Sequence, residues 1–522
     1  MTLHRRLATT AAAVLALALS GCTFPGGHDP AAASSSSAAA TSAAAAAAKA
    51  QPIDWHDCSG QLDTIIAGRP GADRDLSFQC GTTTVPVSYA DPAGGPLQLF
   101  LVKATLAGQT NRIGSLVVNP GGPGQSATDA AIQSALTLPT DVLSRFDVVG
   151  VDPRGVGLST PVECISAPQK DALFAIDPRA TDPASLATAF SRVDAVAGAC
   201  AEKYKAALGA FNTVDSARDM DLVRQSLGDE KLTYLGYSYG TTLGSTYAEL
   251  FPDRVRALVL DGAVDPNTGQ QQSAEAQAQA FEAAFDAFAA NCTGLIGGCP
   301  LGPDPRAFTT DVLNQAAGAA IPSSRPGETR QATPGFVLSA IQSALYQPSA
   351  WPQLAQSLAN ARNGDAAGVL SLADTYTGRN DDGTYSNVID ANLAVSCADT
   401  DEKFTQAQVS GLVADWNVKY PLFGADAALS LYTCSAWDAP RTPLPQRDAA
   451  GSAPILVVGT QGDPVTPLPG AVDLAKELSS GVLLTWQGNG HTAYPKTDCV
   501  TAAVDAYLID LTAPLDGLTC PA

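Results

Sequence analysis

Ser238 lies at the centre of Gly236-Tyr237-Ser238-Tyr239-Gly240, and a serine raised between glycines on a sharp strand-to-helix turn is suited to attack a carbonyl carbon. Its hydroxyl is a weak nucleophile at neutral pH, so a base within hydrogen-bond reach must take the proton as attack proceeds. Four histidines are available in 522 residues. Three of them, His4, His28 and His56, fall before or at the entry to the folded part, which leaves His491 in Gly488-Asn489-Gly490-His491-Thr492 as the candidate base. A third group must hold the imidazole tautomer and stabilise the imidazolium. Asp463, in Gly462-Asp463-Pro464-Val465, follows an apolar run at 454–459 and is preferred, while Asp265 after the run at 256–261 competes with it.

Acyl transfer also needs fixed donors for a developing oxyanion. The stretch Asn119-Pro120-Gly121-Gly122-Pro123-Gly124 follows an apolar run at 115–118. Its glycines let the main chain turn N–H groups inward, but Pro123 has none, so the expected donors are Gly122 and Tyr239, the residue after the nucleophile.

These pieces require a scaffold that delivers several loops to one place. Short apolar runs at 97–103, 115–119, 146–152, 232–236, 256–261, 454–459 and 482–486 read as strands buried on both faces. Helical patterns at 217–227 and 241–251 fall between them, giving the βαβ rhythm of an open parallel sheet. The chain order Ser, Asp, His is that of α/β-hydrolases, not of the chymotrypsin or subtilisin folds. Between 266 and 387 the rhythm gives way to helical patterns, including Phe281, Phe285 and Phe288 at helical spacing. The expected organisation is an α/β-hydrolase core at 52–265, a helical cap at 266–387, and the second part of the core with a C-terminal segment at 388–522.

Residues 1–22 have the form of a signal segment, with His4, Arg5 and Arg6 before an apolar stretch too short to span a membrane. Leu19-Ser20-Gly21-Cys22 has the form of a lipobox, so Cys22 is the expected lipidated residue and an extracytoplasmic membrane anchor follows from it. The Ala/Ser-rich tract 23–51 reads as a flexible tether reaching about 30 Å. Of eleven cysteines, those other than Cys22 form an even set without metal spacing, which in an exported chain points to disulfides. Pairing in sequence order is the expectation chosen among many connectivities. A formal charge of −21 makes nucleic acid a poor partner, and no metal or organic cofactor is implied.

Seen together, Cys80 with Thr84-Val85-Pro86-Val87, NPGGPG at Asn119, Asp152-Pro153-Arg154-Gly155-Val156-Gly157 with Ser159, GYSYG, Leu260-Asp261-Gly262 with Asp265-Pro266, Ser396-Cys397-Ala398-Asp399 and GDPVTP at Gly462 span about residues 80–500. This combination resembles the proline-iminopeptidase-like serine hydrolases, and more closely the secreted actinobacterial tripeptidyl aminopeptidases and mycobacterial lipoprotein hydrolases of the carboxylesterase A type. The resemblance implies a helical lid over the core and release of short peptides from free N-termini. Members assigned as esterases make a carboxylesterase acting on acyl esters or envelope lipids the alternative, and a non-catalytic surface binding lipoprotein is the alternative of a different class. Pro120 stands where the best-known iminopeptidases carry a histidine. A peptidase that reads a free amine needs a carboxylate for the ammonium, and Glu275 and Glu282 on one helix face are candidates.

Overall fold

A computed structural model of the chain describes residues 48–265, 268–446 and 448–522. The signal segment, Cys22 and the tether up to residue 47 lie outside the described residues. Ten strands form one sheet in the order β1-β2-β3-β5-β4-β6-β7-β8-β9-β10. They are β1 (Asp54–Asp57), β2 (Leu76–Pro86), β3 (Pro96–Leu106), β4 (Gly114–Asn119), β5 (Phe146–Val151), β6 (Leu232–Tyr237), β7 (Val255–Asp261), β8 (Ile455–Gly462), β9 (Gly481–Asn489) and β10 (Leu518–Cys520). From β5 to β10 every pairing is parallel, and β1, β2 and β3 add an antiparallel edge. This is the mostly parallel α/β-hydrolase sheet.

The central strands are apolar on both faces because helices cover both. β4 is buried at all six positions, and Leu116 and Val118 join one core cluster while Val117 joins the cluster on the opposite face. Parallel strands require crossovers, and the sequence supplies helices with defined ends. Asn212 accepts the Asp215 N–H at 2.8 Å to start the helix Thr213–Leu227, and Gly228 ends it in the left-handed conformation at φ 80°. The antiparallel β2 alternates buried and exposed residues and holds three threonines in a row, so it offers no continuous apolar run, and the sequence expectations omitted it together with β1 and the three-residue β10.

Between β7 and β8 the described chain is helical. Helices Gln270–Thr293, Pro305–Gly318, Pro334–Leu345, Trp351–Arg362 and Ala367–Thr377 enclose a core of their own around Phe285, Phe288, Val337, Ile341 and Leu358. Helices do not stop at the expected boundary of 387: Val388–Ala398, Gln406–Lys419 and Gly424–Ser430 follow before the sheet resumes at Ile455. Residue 387 is instead where the chain meets the core loops. The Asn387 amide donates to the carbonyls of Gly155 and Val162 and accepts the Gly157 N–H, at 2.8, 3.0 and 3.0 Å. Five disulfides pair the described cysteines in sequence order: Cys58–Cys80, Cys164–Cys200, Cys292–Cys299, Cys397–Cys434 and Cys499–Cys520.

The loop after β5 explains its DPRGVG run. Arg154 is fully buried and forks onto Asp219, Nε to Oδ2 at 2.8 Å and Nη2 to Oδ1 at 2.7 Å, while donating to the carbonyls of Pro86, Val87 and Ala210. Asp219 also accepts the Tyr89 hydroxyl at 2.8 Å. This guanidinium ties β2, the loop after β5 and the helix Thr213–Leu227 to one point. Replacing Arg154 by Met would strand a buried carboxylate and three carbonyls. Chemical denaturation of Arg154→Met is expected to show a loss of about 3–5 kcal/mol, with the double variant Arg154→Met/Asp219→Asn losing less than the sum of the single changes.

Candidate active site

Ser238 lies between β6 and the helix Tyr239–Leu250 with φ 54° and ψ −125°, a conformation costly for a residue with a side chain. Three contacts hold it there. Its N–H donates to the Asp261 carbonyl at 2.9 Å, and its own carbonyl accepts the Thr241 N–H at 2.8 Å and the Thr241 hydroxyl at 2.6 Å. Glycine is demanded around this turn by close approach: a Cβ on Gly236 would lie 2.5 Å from the Gly240 carbonyl oxygen, and one on Gly121 would lie 2.5 Å from the Tyr237 carbonyl oxygen.

The Gly121 contact brings the NPGGPG loop directly against the serine. Asn119 Oδ1 accepts the Gly121 N–H at 2.9 Å, which shapes the turn from its own side chain. Gly122 follows with φ 105° and, together with Ser238 and Tyr239, lines a cavity of about 390 Å³. The expected donors Gly122 and Tyr239 thus border one space with Ser238, and Tyr239 is also the first residue of a helix whose N-terminal end favours negative charge. Below it, the Tyr239 hydroxyl meets Thr213 Oγ1, which donates to Asp399 Oδ2 at 2.6 Å.

His491 and Asp463 are brought together. His491 Nδ1 lies 2.9 and 3.0 Å from the two Asp463 oxygens, and Thr466 Oγ1 lies 3.2 Å from the same nitrogen. Asp463 further accepts from the N–H groups of Val465, Thr466 and Thr492 and from the Thr466 hydroxyl, at 2.9 to 3.2 Å. Burial opposes its charge most strongly, yet His491 and the N–H donors of Thr466 and Val465 outweigh it and hold the carboxyl below its ordinary range. With Nδ1 facing Asp463, Nε2 is the nitrogen left for proton transfer. The other edge of the ring passes over Gly262, where a Cβ would lie 3.2 Å from His491 Cε1. Gly262 directly follows Asp261, whose carbonyl holds the Ser238 N–H.

His491 is also gripped from the cap. Its backbone N–H donates to the Tyr346 carbonyl at 2.7 Å, and the Tyr346 ring stands edge-on to the imidazole with centroids 5.4 Å apart. Tyr346 directly follows the helix Pro334–Leu345. Neither Tyr346 nor Thr466 was assigned a role from sequence: Tyr346 lies in no motif, and Thr466 stands in GDPVTP only as a neighbour of Asp463. The competing acid, Asp265, instead lines the cavity wall and accepts from the Thr268 hydroxyl.

Glu275 and Glu282 are spent within the cap. Glu275 pairs with Lys419 at 2.5 Å, and Glu282 binds Arg306 and accepts the Leu422 N–H at 2.7 Å. Carboxylates that line the space near the serine come from elsewhere. A second chamber of about 580 Å³ shares Pro123, Tyr239 and Asp265 with the first and is walled by Asp399, Asp401 and Glu402, with no lysine, arginine or histidine among its described lining residues. The sequence held a partial signal for this, in Ser396-Cys397-Ala398-Asp399.

Comparison with known proteins agrees with this architecture. A family model described as a TAP-like protein matches residues 420–520. The chain is 38% identical to the serine protease Hip1 of Mycobacterium tuberculosis over 488 residues, which cover 90% of this chain and 91% of that protein. It is 36% identical to carboxylesterase B of the same organism, over 85% of this chain and 86% of the relative. It is 32% identical to the tripeptidyl aminopeptidase of Streptomyces coelicolor, over 90% of this chain and 86% of the relative.

The lowered Asp463 pKa carries a stability consequence. Its folded-state value lies below the unfolded value of 3.8, so its contribution is present above that pH and is lost as pH falls through the folded value. Asp463→Asn is therefore expected to lower the Tm at pH 7, with the gap to the native chain closing only in strong acid; thermal scans across pH 2 to 7 check both.

Proposed function

Since the chain belongs to the family of these mycobacterial and Streptomyces enzymes and is a serine hydrolase of the α/β-hydrolase fold, we propose that it is an exported, lipid-anchored aminopeptidase that releases short peptides from free N-termini. The anchor in this reading is Cys22, reached by the tract 23–51. Ser238 Oγ attacks the scissile carbonyl carbon as His491 Nε2 takes the hydroxyl proton, and Asp463 stabilises the imidazolium without accepting that proton. The carbonyl electron pair moves onto oxygen, where the N–H groups of Gly122 and Tyr239 receive it. His491 then protonates the leaving amine, the C–N bond breaks, and water attacks the acyl-enzyme by the same route in reverse.

The observation that carries the peptidase reading is the chamber walled by Asp265, Asp399, Asp401 and Glu402 beside the serine. A substrate ammonium is the complement of such a wall, and a long neutral acyl chain is not. Ala263, Val264, Val465 and Pro467 on the wall of the first cavity support the second reading, a carboxylesterase acting on acyl esters.

Paired assays separate the two. Cleavage of peptide anilides with a free amine, and none of N-blocked ones, is the expected result; turnover of short aryl esters alone would replace the peptidase by the esterase. Ser238→Ala is expected to lose about 10⁴-fold or more in kcat and to escape fluorophosphonate labelling. Asp463→Asn is expected to lose about 10⁴-fold and Asp265→Asn far less, and the reverse order would move the acid to Asp265.

A further inference from the structure

Asp261 ends β7, is fully buried, and has no part in the reaction as drawn. Its carbonyl oxygen accepts the Ser238 N–H at 2.9 Å. Both oxygens of its carboxylate lie 3.0 Å from the Ala493 nitrogen, and Oδ2 accepts the Tyr494 N–H at 2.8 Å. One residue therefore holds the backbone of the nucleophile on one side and, two residues beyond the imidazole, the loop of the base on the other. We infer that Asp261 is a positioning residue whose ionised carboxylate keeps the His491 loop in register with Ser238. The inference rests on the reading in which those two side chains carry the reaction.

Charge on this carboxylate is set by its surroundings. Burial raises its pKa most, against the N–H donors of Tyr494 and Ala493 and the charges of Lys496 and His491, and the balance leaves it pushed up to about 6. Tyr237 also faces it, with its phenol raised by burial and by the Asp261 charge. Lys496 is itself held in the loop, where its ammonium donates to the carbonyls of His491 and Thr492 at 2.6 and 3.0 Å. Protonation puts an O–H where N–H groups converge and weakens the remaining acceptor. Because the folded pKa lies above the unfolded 3.8, the ionised group disfavours the fold above about pH 6, and that penalty disappears as pH falls towards 4. Activity lost through Asp261 on acidification is thus not accompanied by unfolding through Asp261.

The test measures log kcat/KM for a free-amine peptide anilide from pH 8 to 4.5, beside the Tm at each pH. The native chain is expected to show an acid limb with a slope approaching two, one unit of it from Asp261, while the Tm holds between pH 7 and 5.5. Asp261→Asn is expected to lower kcat about 10- to 100-fold with KM nearly constant, and to reduce the slope to one. A slope of one in the native chain overturns the inference, and so does an Asp261→Asn protein that keeps native kcat and native slope. Should that variant fail to fold, the native slope alone decides. Full activity in Ser238→Ala would instead remove the reaction scheme itself, an outcome distinct from a slope of one in a chain whose Ser238→Ala variant is inactive.

Discussion

The backbone of Ser238 is the constraint around which the other parts are arranged. Holding a side-chain-bearing residue at φ 54° costs about 1–3 kcal/mol, and such a conformation persists only where neighbours leave no alternative. β6 and the helix Tyr239–Leu250 enforce it, Asp261 and Thr241 bond its two peptide groups, and Gly121, Gly236 and Gly240 are kept without Cβ atoms so that chain can pack against it. The NPGGPG loop occupies the space this crowding leaves. Gly122, Tyr239 and Ser238 are therefore brought together by one packed turn and are not placed independently.

Parallel topology does the remaining assembly. β4, β6, β7, β8 and β9 run the same way, so the loops after them emerge on one edge, the usual place for a site in an open α/β sheet. β4 delivers Gly122, β6 delivers Ser238, β7 delivers Asp261, β8 delivers Asp463 and β9 delivers His491. Residues far apart in the chain gather along one edge because each lies at or just past the end of a strand of the same sheet.

What sequence disclosed follows from what each feature depends on. The doubly buried strands were legible because burial on both faces leaves continuous apolar runs. β2 was not, because one alternating face and a run of threonines hide a strand that earns its place through its partners β1 and β3. Ser238, Asp463 and His491 were singled out through glycine context and chain order, and the packing sets His491 Nδ1 against Asp463 and Ser238 in a strained turn. Glu275 and Glu282 had the right chemistry and spacing, but only three-dimensional packing reveals that Lys419 and Arg306 already occupy them. Asp261 and Tyr346 were invisible as partners of the site for the opposite reason: one serves it through its carboxylate and both through a backbone carbonyl that any residue possesses.

That last contact bears on how modular this enzyme is. Because the cap supplies the Tyr346 carbonyl that fastens the His491 backbone and the ring that flanks its imidazole, the inserted helices are not an interchangeable accessory to a self-sufficient catalytic body. Grafting a cap from a distant relative to alter selectivity would exchange the wall of the cavity beside Ser238 and the support of His491 in a single operation. Recombination that respects this dependence would carry the helix ending at Tyr346 together with the β9 loop, so that the histidine and its anchor are inherited as a pair.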